Sequence, residues 1–108
     1  LVWQRMDYLK PIYSFSDKIF HFHIKDAKLY PDKLNEVGIF APPSDYHAPK
    51  LPGLGDINWG SVVAAMDDIG YRGAAILEIE DRAYEDTLED RLGSILLARD
   101  YMRSYIHG

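Results

Sequence analysis

The chain has 108 residues, 47% of them hydrophobic and 27% charged, a balance ordinary for a soluble globular protein with one modest core. Its net charge of −5 argues against a nucleic-acid surface. The absence of cysteine excludes disulfides and thiolate chemistry, so any metal site must use His, Asp or Glu.

No apolar run approaches the roughly 20 residues needed to span a bilayer, and no signal-peptide pattern precedes Trp3. A cytoplasmic location with no membrane partner is expected. The chain opens on Leu1 rather than Met, which reads as a processed product or a piece of something larger.

In chain order, "MDYLKPIYSFS" offers Asp7 as a helix cap, with Met6, Leu9, Ile12 and Phe15 at helical spacing. Pro11 then falls in the first turn, where its missing N–H costs least. Residues 18–27 read as a strand. Phe20, Phe22 and Ile24 share one apolar face; Ile19, His21, His23 and Lys25 share the other, which turns polar at its C-terminal end. Residues 28–56 carry five prolines and three glycines but little periodicity, and read as a long loop of the kind that forms lids or binding surfaces.

"NWGSVVAAMDDIGY" is the clearest helix. Trp59, Val62, Val63, Met66 and Ile69 line one stripe, Asn58 caps the start, and Gly70 sits where a glycine ends a helix. "GAAILEIE" predicts a strand over 74–80, with Ala75, Leu77 and Ile79 on one face and Ile76, Glu78 and Glu80 on the other. The last helix is expected over 84–105, with Leu88, Leu92, Ile95, Leu96 and Met102 buried and Asp86, Glu89 and Asp90 near its positive end. Alternating strands and helices with short turns point to βαβ crossovers in a parallel sheet. Two strands cannot close such a sheet, so the segment reads as the end of a larger α/β fold.

Both strands finish with ionisable groups on one face, where α/β folds gather their reactive residues. If the strands are neighbours, His23 and Glu78 converge. One imidazole and one carboxylate make half of an ordinary nitrogen–oxygen site for a divalent cation. Glu78 follows an apolar run, where an unpaired carboxylate is costly. Glu80 and Asp81 are expected on a solvated rim, with Glu80 able to reach the pocket. His21 fits a structural or supporting role, and Trp59 fits core packing. Gly53-Leu54-Gly55 lacks the context of a phosphate loop and more simply provides a turn with positive φ. Asp45-x-His47 has the look of a ligand pair but fits an exposed loop better.

"HFHIKD", "PGLGDINW" and "GYRGAAILEIED", in this order, resemble the xylose isomerase-like TIM-barrel family, which includes sugar phosphate isomerases/epimerases and AP endonuclease family 2. The opening "LVWQ" is similar to the residues after an Asp-Pro-Ser-His strand end in that family. The resemblance implies the C-terminal portion of a (β/α)8 barrel. It implies a divalent metal ion (Mn, Mg, Co or Zn) bound by His23 and Glu78, with Glu78 also the catalytic proton-transfer group. Lys25, Asp26 and Glu80 would meet substrate oxygens, although Asp26 also suits a turn cap. The other family ligands, a glutamate and an aspartate, belong to earlier strands not contained here. Asn58 stands where many members have Asp.

The activity so implied is isomerisation or epimerisation of a sugar or polyol through an enediolate, with this chain alone inactive. Two rivals are an endonuclease IV-like phosphodiesterase, which the negative charge disfavours, and a non-enzymatic segment that folds by self-association. Open sheet edges call for a partner, either further copies in a homo-oligomer or the remainder of the barrel.

Overall fold

A computed structural model describes residues 1, 2 and 4–106; Trp3, within the "LVWQ" stretch, lies outside them. The element order is α1 (Lys10–Ser14), β1 (Phe22–Ile24), β2 (Asp26–Leu29), α2 (Pro31–Val37), β3 (His47–Lys50), α3 (Trp59–Asp68), β4 (Ala75–Leu77) and α4 (Leu88–Arg103). Single 3-10 turns at Ser16–Lys18, Pro43–Asp45 and Arg82–Tyr84 punctuate them.

β1 and β4 lie side by side and parallel, with His23 opposite Ile76 and Ile24 opposite Leu77. The Glu78 N–H continues the ladder by donating to the Ile24 carbonyl at 3.0 Å. α3 joins the two strands, so the expected parallel βαβ unit is present. Asn58 caps α3 by accepting from the Ser61 N–H at 3.1 Å, and Gly70 follows its end at φ 71°. Trp59, Val62 and Met66 bury the expected stripe of α3 against Ile24 and Met102, forming the core.

Three expectations need correction. First, residues 28–56 are not a bare loop. β2 pairs antiparallel with β3, placing Asp26 opposite Lys50 and Leu29 opposite His47, and α2 fills part of the connection. Pro49 is tolerated because only one neighbouring strand pairs with β3 among the described residues. Second, Phe20 is 77% exposed, because the strand contracts to Phe22–Ile24 and Phe20 lies before it, outside the ladder.

Third, α4 starts at Leu88, behind a Thr87 cap, and turns a different face inward. Its buried residues are Ser94, Ala98 and Met102, spaced by four. Leu88, Leu92, Ile95 and Leu96 are all exposed. The reason is where the helix docks. Tyr101 stands against Gly53 and Tyr105 against Gly60, so the last turns of α4 pack near the start of α3. α4 does not cover β4, where Ala75 and Ile76 stay exposed.

One carboxylate organises this arrangement. Asp26 is 0% exposed. It accepts from the Trp59 indole at 2.9 Å and from the N–H groups of Ala27, Gly53, Gly55 and Ile57 at 2.8, 3.0, 3.3 and 3.2 Å. A buried charge is tolerable when donors replace its water shell. A Cβ at position 55 would collide with this carboxylate, which is why glycine is required there. Gly53 instead supplies a backbone turn at φ 97°, as expected of the pair. Asp26→Ala would leave these donors buried without acceptors. It is expected to cost at least about 3 kcal/mol, read from urea unfolding of the single variant against the parent chain.

Candidate metal and proton-transfer site

Side chains alternate along β1, so burying Ile24 turns His23 and Lys25 to the opposite face. The parallel register brings the residue after β4 beside them. His23 Nδ1 lies 2.6 Å from Glu78 Oε1. The carboxylate accepts, so Nδ1 carries the hydrogen, and a neutral ring keeps its lone pair on Nε2.

Lys25 completes the rim. Its Nζ is 2.8 Å from Glu80 Oε2 and 3.9 Å from Glu78 Oε2. The hydrogen bond to Glu80 raises the Lys25 pKa above 10.5, and the same bond lowers the Glu80 pKa below 4.5. All four side chains are part-exposed, so these interactions are solvent-screened.

The rim opens on a cleft of about 1140 Å³ lined by His23, Lys25, His47, Lys50, Glu80 and Arg82 among others. The expected site residues thus divide cleanly. His23, Glu78, Lys25 and Glu80 come together. Asp26, expected at substrate, points inward with its oxygens engaged by protein donors, which leaves it the turn-capping role. His21 is exposed and lines an adjoining apolar groove with Phe15, Ile19 and Phe22, which meets the cleft at His23 and Lys25.

Asp81 is a further correction. It was expected on a solvated rim but is 2% exposed. It accepts from the Leu51 N–H at 3.1 Å and the Ala83 N–H at 3.1 Å, with Lys50 Nζ at 3.8 Å. It ties the exit of β4 to the end of β3 as Asp26 ties β2 to the start of α3.

His47 was missed as a cleft residue. β3 carries it back beside Leu29, and its Nδ1–H donates to the Pro43 carbonyl at 2.6 Å, which sets the ring. The Asp45-x-His47 spacing has the look of a ligand pair yet reads as an exposed loop, because the pairing of β2 with β3 that brings His47 to the cleft spans the aperiodic region.

The donor chemistry of His23 and Glu78 suits part of a divalent-cation site. Two donors on one tetrahedral ion stand about 3.4 Å apart, given bonds near 2.1 Å. Joint coordination through Nδ1 and Glu78 therefore needs the other tautomer, with the hydrogen on Nε2, and an opening of the 2.6 Å contact by under about 1 Å, which half-exposed side chains permit. Among the described residues no group of three or more His, Asp or Glu is placed to hold a metal. Among the described residues, no helix is long and apolar enough to cross a membrane.

Parallel strands joined by a helix, with ionisable groups at their C-terminal ends, place the site as α/β folds do, barrels and open sheets alike. The family model for the xylose isomerase-like TIM barrel matches residues 1–105, and the chain belongs to that family. Two parallel strands do not close a barrel, and the described residues contain no closed one. No curated protein matches the chain.

The Lys25–Glu80 pair yields a pH prediction. Glu80 has a lowered pKa, so its contribution is full above 4.5 and is lost as pH falls through its folded value. Lys25 has a raised pKa, so its contribution is full below 10.5 and is lost as pH rises through its folded value. NMR titration of both side chains should show the contact intact between these limits. Lys25→Met should return the Glu80 midpoint toward 4.5.

Proposed function

We propose that this chain supplies part of the active site of a divalent-metal-dependent sugar isomerase or epimerase. The observation that carries the reading is the 2.6 Å approach of His23 to Glu78 at the shared C-terminal rim of two parallel strands. Family membership supports an enzyme of this general kind.

In this reading His23 and Glu78 hold Mn, Mg, Co or Zn jointly with carboxylates from other strands. When bound, the ion polarises adjacent carbonyl and hydroxyl oxygens of the substrate. Glu78 moves a proton on the carbon next to the carbonyl, through an enediolate, with a second carboxylate completing the exchange. Lys25 and Glu80, already paired at 2.8 Å, offer one donor and one acceptor to substrate hydroxyls. The two buried aspartates do not touch substrate; they fix the backbone on which these four side chains stand.

The phosphodiesterase alternative has less support, since a chain with net charge −5 lacks the basic character that a nucleic-acid groove needs. A cytoplasmic setting accords with the sugar-isomerase reading.

Two measurements test it. In the assembled barrel, Glu78→Gln should lower turnover at least about 100-fold with unchanged thermal unfolding; near-normal turnover rejects the proton-transfer role. Calorimetric titration of the chain alone with manganese should show weak binding that His23→Ala abolishes. Equal binding by the variant rejects the metal role. The chain alone should show no turnover.

A further inference from the structure

The charge of the cleft departs from that of the chain. The chain carries 17 acidic side chains against 12 lysines and arginines. The cleft lining reverses the balance, with Lys25, Lys50 and Arg82 against Glu80 and Glu85. A concave surface focuses the field of the charges along it, so a cationic lining concentrates anions there.

The three cations are not equally engaged. Lys25 is committed to Glu80 at 2.8 Å. Lys50 stands on β3 with its Nζ 3.8 Å from Asp81 Oδ1, too long for a hydrogen bond. Asp81 takes its hydrogen bonds from the N–H groups of Leu51 and Ala83 instead, which leaves the Lys50 donors for another acceptor. Arg82 opens the 3-10 turn Arg82–Tyr84 and is exposed. It makes no ion pair or side-chain hydrogen bond among the described residues.

Asp81 also brings these two cations to one place. Its Oδ1 faces Lys50 and accepts the Ala83 N–H, and Arg82 is the residue that this small turn encloses. Lys50 therefore approaches from β3 and Arg82 from the exit of β4, over a buried carboxylate bonded to the backbone of both segments. A guanidinium offers a planar fork of donors and an ammonium offers rotatable ones. Together they fit the two or three oxygens of a carboxylate or a phosphate. Neutral sugar hydroxyls call for neither charge. Glu85, which closes the same turn, offsets part of the charge without pairing to Arg82 among the described residues.

We propose that the substrate carries an oxyanion group, a phosphate ester or a carboxylate, held by Lys50 and Arg82 while its carbonyl end meets His23 and Glu78. The placing of the carbonyl end rests on the isomerase or epimerase reading above; the oxyanion site rests on Lys50, Arg82 and Asp81 alone. Glu78 and Arg82 stand four residues apart, at most about 13 Å along the backbone, so one small molecule can engage both. Lys50 and Arg82 then select among sugars by charge, and the rim acts on the end they present to it.

Inorganic phosphate and acetate are the probes, added separately to the chain at constant ionic strength while NMR follows Arg82 Nε and Lys50 Cε. At least one probe should shift both signals saturably while the remote Lys10 and Arg99 stay still. Tighter binding of phosphate assigns a phosphate ester, and tighter binding of acetate assigns a carboxylate. Arg82→Met, at an exposed position, should weaken that binding at least about tenfold with an unchanged far-UV CD spectrum. Lys50→Met should weaken it likewise, and Lys50→Arg should retain it. His23→Ala should abolish manganese binding yet leave the oxyanion site unchanged, so the two readings fail separately. Shifts that chloride reproduces, shifts that spread alike over Lys10 and Arg99, or binding that persists in Arg82→Met overturn the proposal.

Discussion

The Asp26 carboxylate is the constraint on which the rest of the structure depends. A charge fully removed from water has to find a replacement shell, and five donors from positions 27 to 59 converge on it. Satisfying that demand draws the Gly53–Gly55 turn against β2, seats Trp59 and starts α3. Because Trp59 also belongs to the apolar core, the polar and apolar parts of the fold share one residue. The rim inherits its position from this arrangement, since Lys25 immediately precedes Asp26 and faces the other way.

The same device occurs twice. At the end of each site-bearing strand, a cleft-facing charged residue is followed by an aspartate that turns inward: Lys25 then Asp26, Glu80 then Asp81. Strand alternation alone produces the opposite orientations. The outward member stays accessible for chemistry while the inward member is locked by backbone donors. Placement of His23 and Glu78 thus rests on backbone hydrogen bonds around two buried anions, with little contribution from the part-exposed ion pairs themselves.

Much of this was readable in the residues. The alternation in "HFHIKD" and "LEIED" placed His23 and Lys25 on one face of their strand and Glu78 and Glu80 on one face of theirs, and the stripe and caps of α3 were explicit. What escaped had a common cause: it depended on partners distant in sequence. The β2–β3 pair joins four-residue strands across a region with little periodicity, so Asp45-x-His47, despite its look of a ligand pair, read as an exposed loop. The apolar stripe of α4 declared that one face was hydrophobic but could not say which neighbour would meet it. The helix instead buries Ser94 and Ala98, whose small side chains permit close approach. Asp26 and Asp81 looked like polar ends of strands because nothing in a short window shows whether a carboxylate will be surrounded by donors.

The span of these contacts also shapes how the chain reaches its folded state. Asp26 draws on a donor 33 residues away, Asp81 on one 30 residues away, and β1 pairs with β4 across more than fifty residues. Loop closure is entropically costly before any such contact repays it. Neither strand of the rim has a nearby mate with which to form early, so the helices can flicker into existence sooner than the surface that carries the imidazole and carboxylate. Assembly of that surface is therefore a late event in the acquisition of structure. Conditions that slow chain compaction will delay it more than they delay the appearance of helix.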